Sequence, residues 1–167
     1  MKNTLEQLEQ VLASELNVHE EFLVSARQFN KAIREQDLDA IDRERAVHDA
    51  TVCRIEKLEV ERMSYCRVLA QSLGIKRDPV KLGMLLEKIP PQWRDRLSML
   101  QEALKKTISE LSKISTSNRI LLEEGLRVVH ATCSFVRQSA GSRYAPYGKH
   151  GRPVDGPVFQ TMINKTA

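Results

Sequence analysis

The sequence predicts an all-α protein, and three observations predict it. The first is that no Gly or Pro precedes Gly74. A breaker-free stretch of that length, with charges interleaved throughout, has the composition of long helices. The second is that apolar residues recur at gaps of three and four rather than two. The third is that 41% of the chain is apolar but only 5% aromatic, too little aromatic and β-branched material for an ordinary sheet. The expected architecture is an elongated antiparallel helical hairpin or bundle with three long helices, one short helix and a flexible C-terminal tail.

In the first segment Leu5, Leu8, Leu12, Leu16, His19, Leu23, Ala26, Phe29 and Ile33 form one stripe at three-to-four spacing, as in a helix lying lengthwise against others. Gln36-Asp37-Leu38-Asp39 interrupts it, and Asp37 or Asp39 is placed to cap the next helix. So short a loop implies an antiparallel hairpin. The second helix is expected from about Asp39 to Leu73, with Ile41, Val52, Ile55, Leu58, Tyr65, Leu69 and Leu73 inward and Gly74 as its stop. Arg45, His48 and Arg62 interrupt that seam, so its first half should be held less tightly than its last. A short helix is then expected from Val80 to about Glu87, with Asp78 as its cap and Pro79 in the first turn, and Pro90-Pro91 ends it and starts the last one.

In the last helix Trp93, Leu97, Leu100, Leu104, Ile108, Leu111, Ser115, Asn118, Leu122, Gly125, Val129, Thr132 and Val136 continue the three-to-four spacing. At 1.5 Å per residue such a helix reaches roughly 65 Å, more than a compact bundle of this mass needs. Its stripe changes midway. It is wholly apolar to Leu111, then takes in Ser115 and Asn118, polar seam residues of the kind that set register or oligomeric state. Beyond them Leu121, Leu122, Leu126, Val128, Val129, Phe135 and Val136 widen the apolar face, as on a surface that meets a partner. The alternative cover is the first helix, or a second copy of the chain in a homo-oligomer.

The formal charge of +4 is not spread along the chain. Residues 137–167 carry Arg137, Arg143, Lys149, Arg152 and Lys165 against Asp155 alone, which leaves 21 basic and 21 acidic groups in residues 1–136. The division implies a neutral helical body, 1–136, and a basic tail, 137–167, that holds four of the seven Gly and three of the six Pro. Tyr144, Tyr147 and Phe159 are interleaved with the tail's cations, an arrangement able to stack on bases. The cations are too dilute for a strong phosphate footprint, so no nucleic-acid partner is expected. The tail's Gly and Pro also argue against a basic amphipathic helix on a membrane. No apolar run approaches the roughly 20 residues that span a bilayer, and Met1 to Glu15 lacks the pattern of a signal peptide. Cytoplasmic retention without membrane insertion is the expectation.

No catalytic constellation appears. His19, His48, His130 and His150 are isolated, and no HExxH, phosphate loop or GxSxG element occurs. His19 and His48 lie on seams, as buried and hydrogen-bonded histidines do. Cys53, Cys66 and Cys133 are widely spaced with no CxxC pair, which fits reduced thiols at core or boundary positions. The chain is expected to be neither an enzyme nor a cofactor protein.

Four features resemble the FlgN-type flagellar export chaperones. Leu58-Glu59-Val60-Glu61-Arg62, followed by Leu69-Ala70 and Leu73-Gly74, is similar to the family's second-helix ending. Asn118-Arg119-Ile120-Leu121-Leu122-Glu123 resembles its Asn-x-x-Leu-Leu/Ile signature, and Tyr147-Gly148-Lys149-His150-Gly151 its Tyr-Gly-x-x-Gly element. The order and lengths of the helices agree over nearly the whole chain. Ser115 and Arg152 stand where many members carry Asn and Gln.

The resemblance implies a type III secretion chaperone that binds the C-terminal helical segments of hook–filament junction (hook-associated) proteins. It would prevent their premature association and deliver them to the membrane export gate. Cargo binding is assigned on this basis to Leu121, Leu122, Leu126, Val129, Phe135 and Val136, since an apolar groove takes an amphipathic helix through anchors at helical spacing. Docking on the export gate is assigned to Tyr147, with Gly148 and Gly151, where an aromatic flanked by Pro146 has no core to serve. A cytosolic coiled-coil adaptor of another pathway has the same helical features and differs only in its partner, and a nucleic-acid-binding helical protein is the lesser alternative.

Overall fold

The computed structural model describes residues 1–76 and 79–143, with side chains described through Ser139. Four helices follow one another, α1 (Lys2–Glu35), α2 (Leu38–Ser72), α3 (Leu82–Leu86) and α4 (Pro91–Arg143). Among the described residues there is no strand. The chain divides into two units, Met1–Leu122 and Glu123–Ala167. The first holds α1, α2, α3 and α4 as far as Leu122. The second, where described, is the rest of α4.

The turn between α1 and α2 is built from two interlocked caps. Gln36 adopts the left-handed conformation (φ 57°), and the N–H groups of Gln36 and Asp37 donate to the carbonyls of Ile33 and Ala32 at 3.2 and 3.0 Å. That pair of bonds is a Schellman ending. Asp37 then starts the next helix, its Oδ1 accepting from the Ala40 N–H at 3.0 Å. Of the two candidate caps it is therefore Asp37, with Asp39 inside the first turn. A side chain in the left-handed region costs energy that Gly avoids. Gln36→Gly should raise the unfolding free energy by about 0.5–1 kcal/mol. Urea unfolding checks this, and an unchanged or lower midpoint contradicts it.

At the far end of α2 the expected Gly stop is present. Gly74 has φ 68°, and the N–H groups of Gly74 and Ile75 donate to Gln71 and Ala70 at 3.2 and 2.9 Å, a second Schellman ending. α3 begins at Leu82, later than the expected Val80, and its cap residue Lys81 supplies no side-chain bond. Pro79 accordingly precedes the helix rather than lying in its first turn, and Asp78 is outside the described residues. Pro91 opens α4, where its missing N–H is no loss, and the Pro90 carbonyl accepts from Trp93 and Arg94 at 3.0 Å each. α4 runs past Val136 to Arg143, crossing the expected body–tail boundary. A lone Gly such as Gly141 costs a helix only about 1 kcal/mol.

Within the first unit α1 runs antiparallel to α2 and parallel to α4. On one side Tyr65 donates to Gln7 (2.7 Å), Arg62 to Glu15 (2.9 Å) and Arg54 to Glu21 (2.8 Å). On the other Arg96 meets Glu9 (2.6 Å), Arg27 meets Glu110 (3.2 Å) and Asn30 donates to Asn118 (2.6 Å). Contact on two sides makes the buried face of α1 wider than one stripe, adding Val11, Val18 and Ala32 to the expected leucines. The core joins Leu5, Leu8 and Leu12 of α1 to Cys66 and Leu69 of α2, Leu82 and Leu85 of α3, and Trp93, Leu97 and Leu104 of α4.

The registers of α2 and α4 differ from the expected stripes by one residue at several positions. In α2 the buried residue is Thr51, whose Oγ1 donates to the Val47 carbonyl at 2.8 Å, while Val52 is exposed. Burial is otherwise confined to Cys66, Leu69 and Ala70 near the end of α2. In α4 a continuous line of covered residues runs through Trp93, Leu97, Leu100, Leu104, Thr107, Leu111, Ile114, Asn118 and Leu121, flanked by the half-buried Ser98, Gln101, Ala103, Glu110 and Ser117. Ile108, Ser115 and Leu122, which the three-to-four pattern equally allowed, are exposed. That line alternates gaps of four and three. On a straight helix of 3.6 residues per turn a seam of 3.5-residue period drifts by about 20° per heptad, so it stays against its neighbours only where the helices wind slightly around one another.

Candidate partner-binding surfaces

Two polar clusters hold the first unit together. Glu15 is almost wholly buried, with 2% of its side chain exposed, and Arg62 Nε donates to both its oxygens at 2.9 and 3.2 Å. Burial pushes the Glu15 carboxyl above its ordinary value, while the Arg62 guanidinium pulls the other way. His19 Nδ1 donates to the Glu15 carbonyl at 2.7 Å. Arg62, which interrupts the apolar seam in sequence, is thus the partner of a buried charge. The other cluster is at Asn118, whose Nδ2 donates to the Ala26 carbonyl (3.1 Å) and whose Oδ1 accepts from Asn30.

His48 and the thiols have different surroundings. His48 sits edge-on to Phe22 and Phe29 at 4.9 and 5.1 Å. Unlike His19, and against expectation, its Nε2 is buried without a hydrogen-bond partner. Cys66 is buried, and that burial raises its thiol pKa. Cys53 and Cys133 are free and exposed, rather than core residues. Among the described residues no cluster of His, Cys, Asp or Glu is arranged to hold a metal, and no helix is long and apolar enough to cross a membrane.

The surfaces that remain are apolar. In the first unit Leu121 is half-buried and Leu122 is 38% exposed. In the second unit Leu126, Val129, Phe135 and Val136 are all exposed, Phe135 at 70%. At 100° per residue, Gly125, Leu126, Val128, Val129, Thr132, Cys133, Phe135 and Val136 occupy about 180° of the helix. That sector contains no charge. Glu123, Glu124, Arg127, His130 and Arg137 fall on the other half. Val128, part of the widened face in sequence but not of the cargo assignment, and Cys133, in neither, belong to this sector on the same angular grounds as Leu126, Val129, Phe135 and Val136. Tyr147, Gly148 and Gly151 lie outside the described residues.

Clefts also open on the first unit. One, of about 730 Å³, lies between the start of α1 and the start of α4, and has Lys2, Glu6, Glu9, Trp93 and Arg96 on its walls. The Glu9–Arg96 and Lys2–Glu6 ion pairs offset its charges internally, and the Arg96 guanidinium lies 5.1 Å from the Trp93 ring centre. Another, of about 420 Å³, lies among α2, α4 and the segment entering α3.

The model of the FlgN protein family matches residues 1–154, almost the whole chain. The chain belongs to the FlgN family. The match covers the described helices and continues through Tyr147, Gly148 and Gly151. No curated protein and no solved structure matches the chain. FlgN membership brings the general role of a flagellar export chaperone, a protein that works by binding other proteins. Two of the family-like signature residues have visible packing positions. Asn118 is the buried node between α4 and α1, and Leu121 is the last half-covered residue of the seam.

Proposed function

We propose that this FlgN-family protein binds the C-terminal helical segments of hook–filament junction proteins, keeps them from associating, and delivers them to the type III export gate. The observation that supports the reading is the uncharged apolar half of α4 past Leu122, on which Leu126, Val129, Phe135 and Val136 are all exposed. An amphipathic cargo helix fits such a face through leucine-like anchors at three-to-four spacing. Ordering a disordered cargo terminus costs about 2–5 kcal/mol of the gross interaction, so the complex can be tight enough to protect and loose enough to release. In this reading Leu121, Leu122, Leu126, Val129, Phe135 and Val136 hold the cargo. Tyr147, with Gly148 and Gly151, makes the weaker contact with the gate, as suits a short linear element that must be handed over.

Leu122→Glu combined with Val129→Glu places two charges on the face without touching the core. The expected result is loss of co-purification with a junction protein while circular dichroism stays helical. A folded variant that still binds cargo overturns the assignment. Tyr147→Ala should keep cargo and lose retention on the gate component, and unaltered gate binding would remove Tyr147 from the scheme. A second chain copy as the occupant predicts a wild-type dimer that the double variant dissociates.

A further inference from the structure

The smaller cleft in the first unit has a composition that the cargo reading does not use. Its floor and walls are Leu12, Met63, Val80, Leu82, Leu104 and Ile108. Met63 and Ile108, on α2 and α4, are 41% and 44% exposed. Ile108 continues the apolar spacing of α4 in sequence, yet the seam passes through Thr107 and leaves it facing outward. The volume of about 420 Å³ falls in the range of about 300–1,000 Å³ that natural ligand sites occupy.

The polar groups on this cleft carry one sign. Arg62, Lys81 and Lys105 line it together with the neutral Gln101, and no acidic side chain lines it among the described residues. Arg62 spends its Nε on Glu15, so its two terminal nitrogens are not the ones committed to that carboxylate. Lys105 meets Glu102 only on the exposed face of α4, one turn away. A half-exposed ion pair of that kind is worth little and is readily exchanged for another carboxylate. The chain's own segment past Arg143 is a poor occupant, because Lys149, Arg152 and Lys165 outnumber Asp155.

We infer that this cleft is a second docking surface, for an acidic amphipathic helix of a partner protein. One or two of the partner's leucine-sized side chains fill the space between Met63 and Ile108, and its carboxylates meet Lys81, Lys105 and the outer nitrogens of Arg62. Apolar anchors supply the affinity, and the cations select against basic segments. The surface is separate from the exposed face of α4, so it stands or falls independently of the cargo assignment.

The test uses the full-length chain labelled for amide NMR and two synthetic helical peptides. Each carries Leu at i, i+3, i+4 and i+7, one with Ala and Glu elsewhere and one with Ala and Lys. The Glu peptide should shift the amides around Met63, Leu82 and Ile108, and the Lys peptide should not. Ile108→Glu, and separately Lys81→Glu with Lys105→Glu, should weaken the Glu peptide by about tenfold or more, a loss of about 1.4 kcal/mol. These positions are exposed, so the variants keep their fold, which the unperturbed spectrum verifies. The inference is overturned if the cleft amides do not move, if both peptides bind alike, or if the folded variants bind as well as wild type. It is equally overturned if cleft amides move on dilution, which marks a second copy as occupant, or with Val158→Glu and Phe159→Glu, which marks the chain's own terminus.

Discussion

Replacing Arg62 by Ala will lower the unfolding free energy by about 2–3 kcal/mol at neutral pH, and by much less near the ordinary carboxylate value of about 4.5. The loss comes from Glu15, which stays buried against α2 with its compensating charge gone. Breaking a fully buried pair costs about 3–5 kcal/mol, and the lower figure reflects an Arg62 side chain that keeps 27% of its surface in water. The direction with pH follows from the raised folded-state value of Glu15. A group raised on folding contributes stability that is complete below its unfolded value and is lost as pH rises through the folded one. In wild type Arg62 limits that rise. In the variant only the smaller pull of His19 remains, so the loss extends further toward neutral pH. Urea unfolding of wild type, Arg62→Ala and Arg62→Ala with Glu15→Gln over that pH interval measures the effect. The double variant should recover most of the loss at neutral pH. A pH-independent penalty would show that Arg62 acts through packing of its stem instead.

Leu97→Ala will cost about 2–5 kcal/mol, whereas Leu122→Ala, on the same helix, will cost under about 1 kcal/mol. Leu97 is fully buried among α1, α2 and α3, so truncation leaves a cavity that the surrounding helices cannot close. Leu122 is 38% exposed and already meets water. Two leucines of one sequence pattern thus divide into a stability residue and a candidate binding residue. Thermal or urea unfolding of the two variants side by side gives the contrast, and equal losses would mean that Leu122 is covered in solution. Wild-type dimerisation would be the first explanation to check by sedimentation.

Much of the bundle was legible because its signals are local. The gap-three-and-four leucines of α1, the Asp37 cap and the Gly74 stop each depend on residues within a turn or two of themselves. The Glu15–Arg62 pair was also within reach. A hairpin folding about Gln36-Asp37 brings residue 62 opposite the middle of α1, and Glu15 lies there between Leu12 and His19 on the inner side. A charge on each seam at matching heights was the available sign, and viewing Arg62 only as an interruption missed it. The short α3 was less legible, since five residues carry too little periodicity to mark an end.

For the candidate surfaces the division is sharper. The sequence by itself determined the long helices, their order, the gathering of the net positive charge after residue 136, and the FlgN resemblance that the family match then bore out, because composition, capping and motif order are properties of the chain alone. It also marked α4 beyond Asn118 as unusually apolar. Only the tertiary structure decided which of two adjacent stripes on α4 is covered. Thr107 and Ile114 face the bundle where Ile108 and Ser115 fit the pattern equally well, because neighbouring positions differ by 100° on the helix and only the placement of α1 and α2 chooses between them. That choice is what leaves Ile108 beside Met63 and opens the cation-lined cleft.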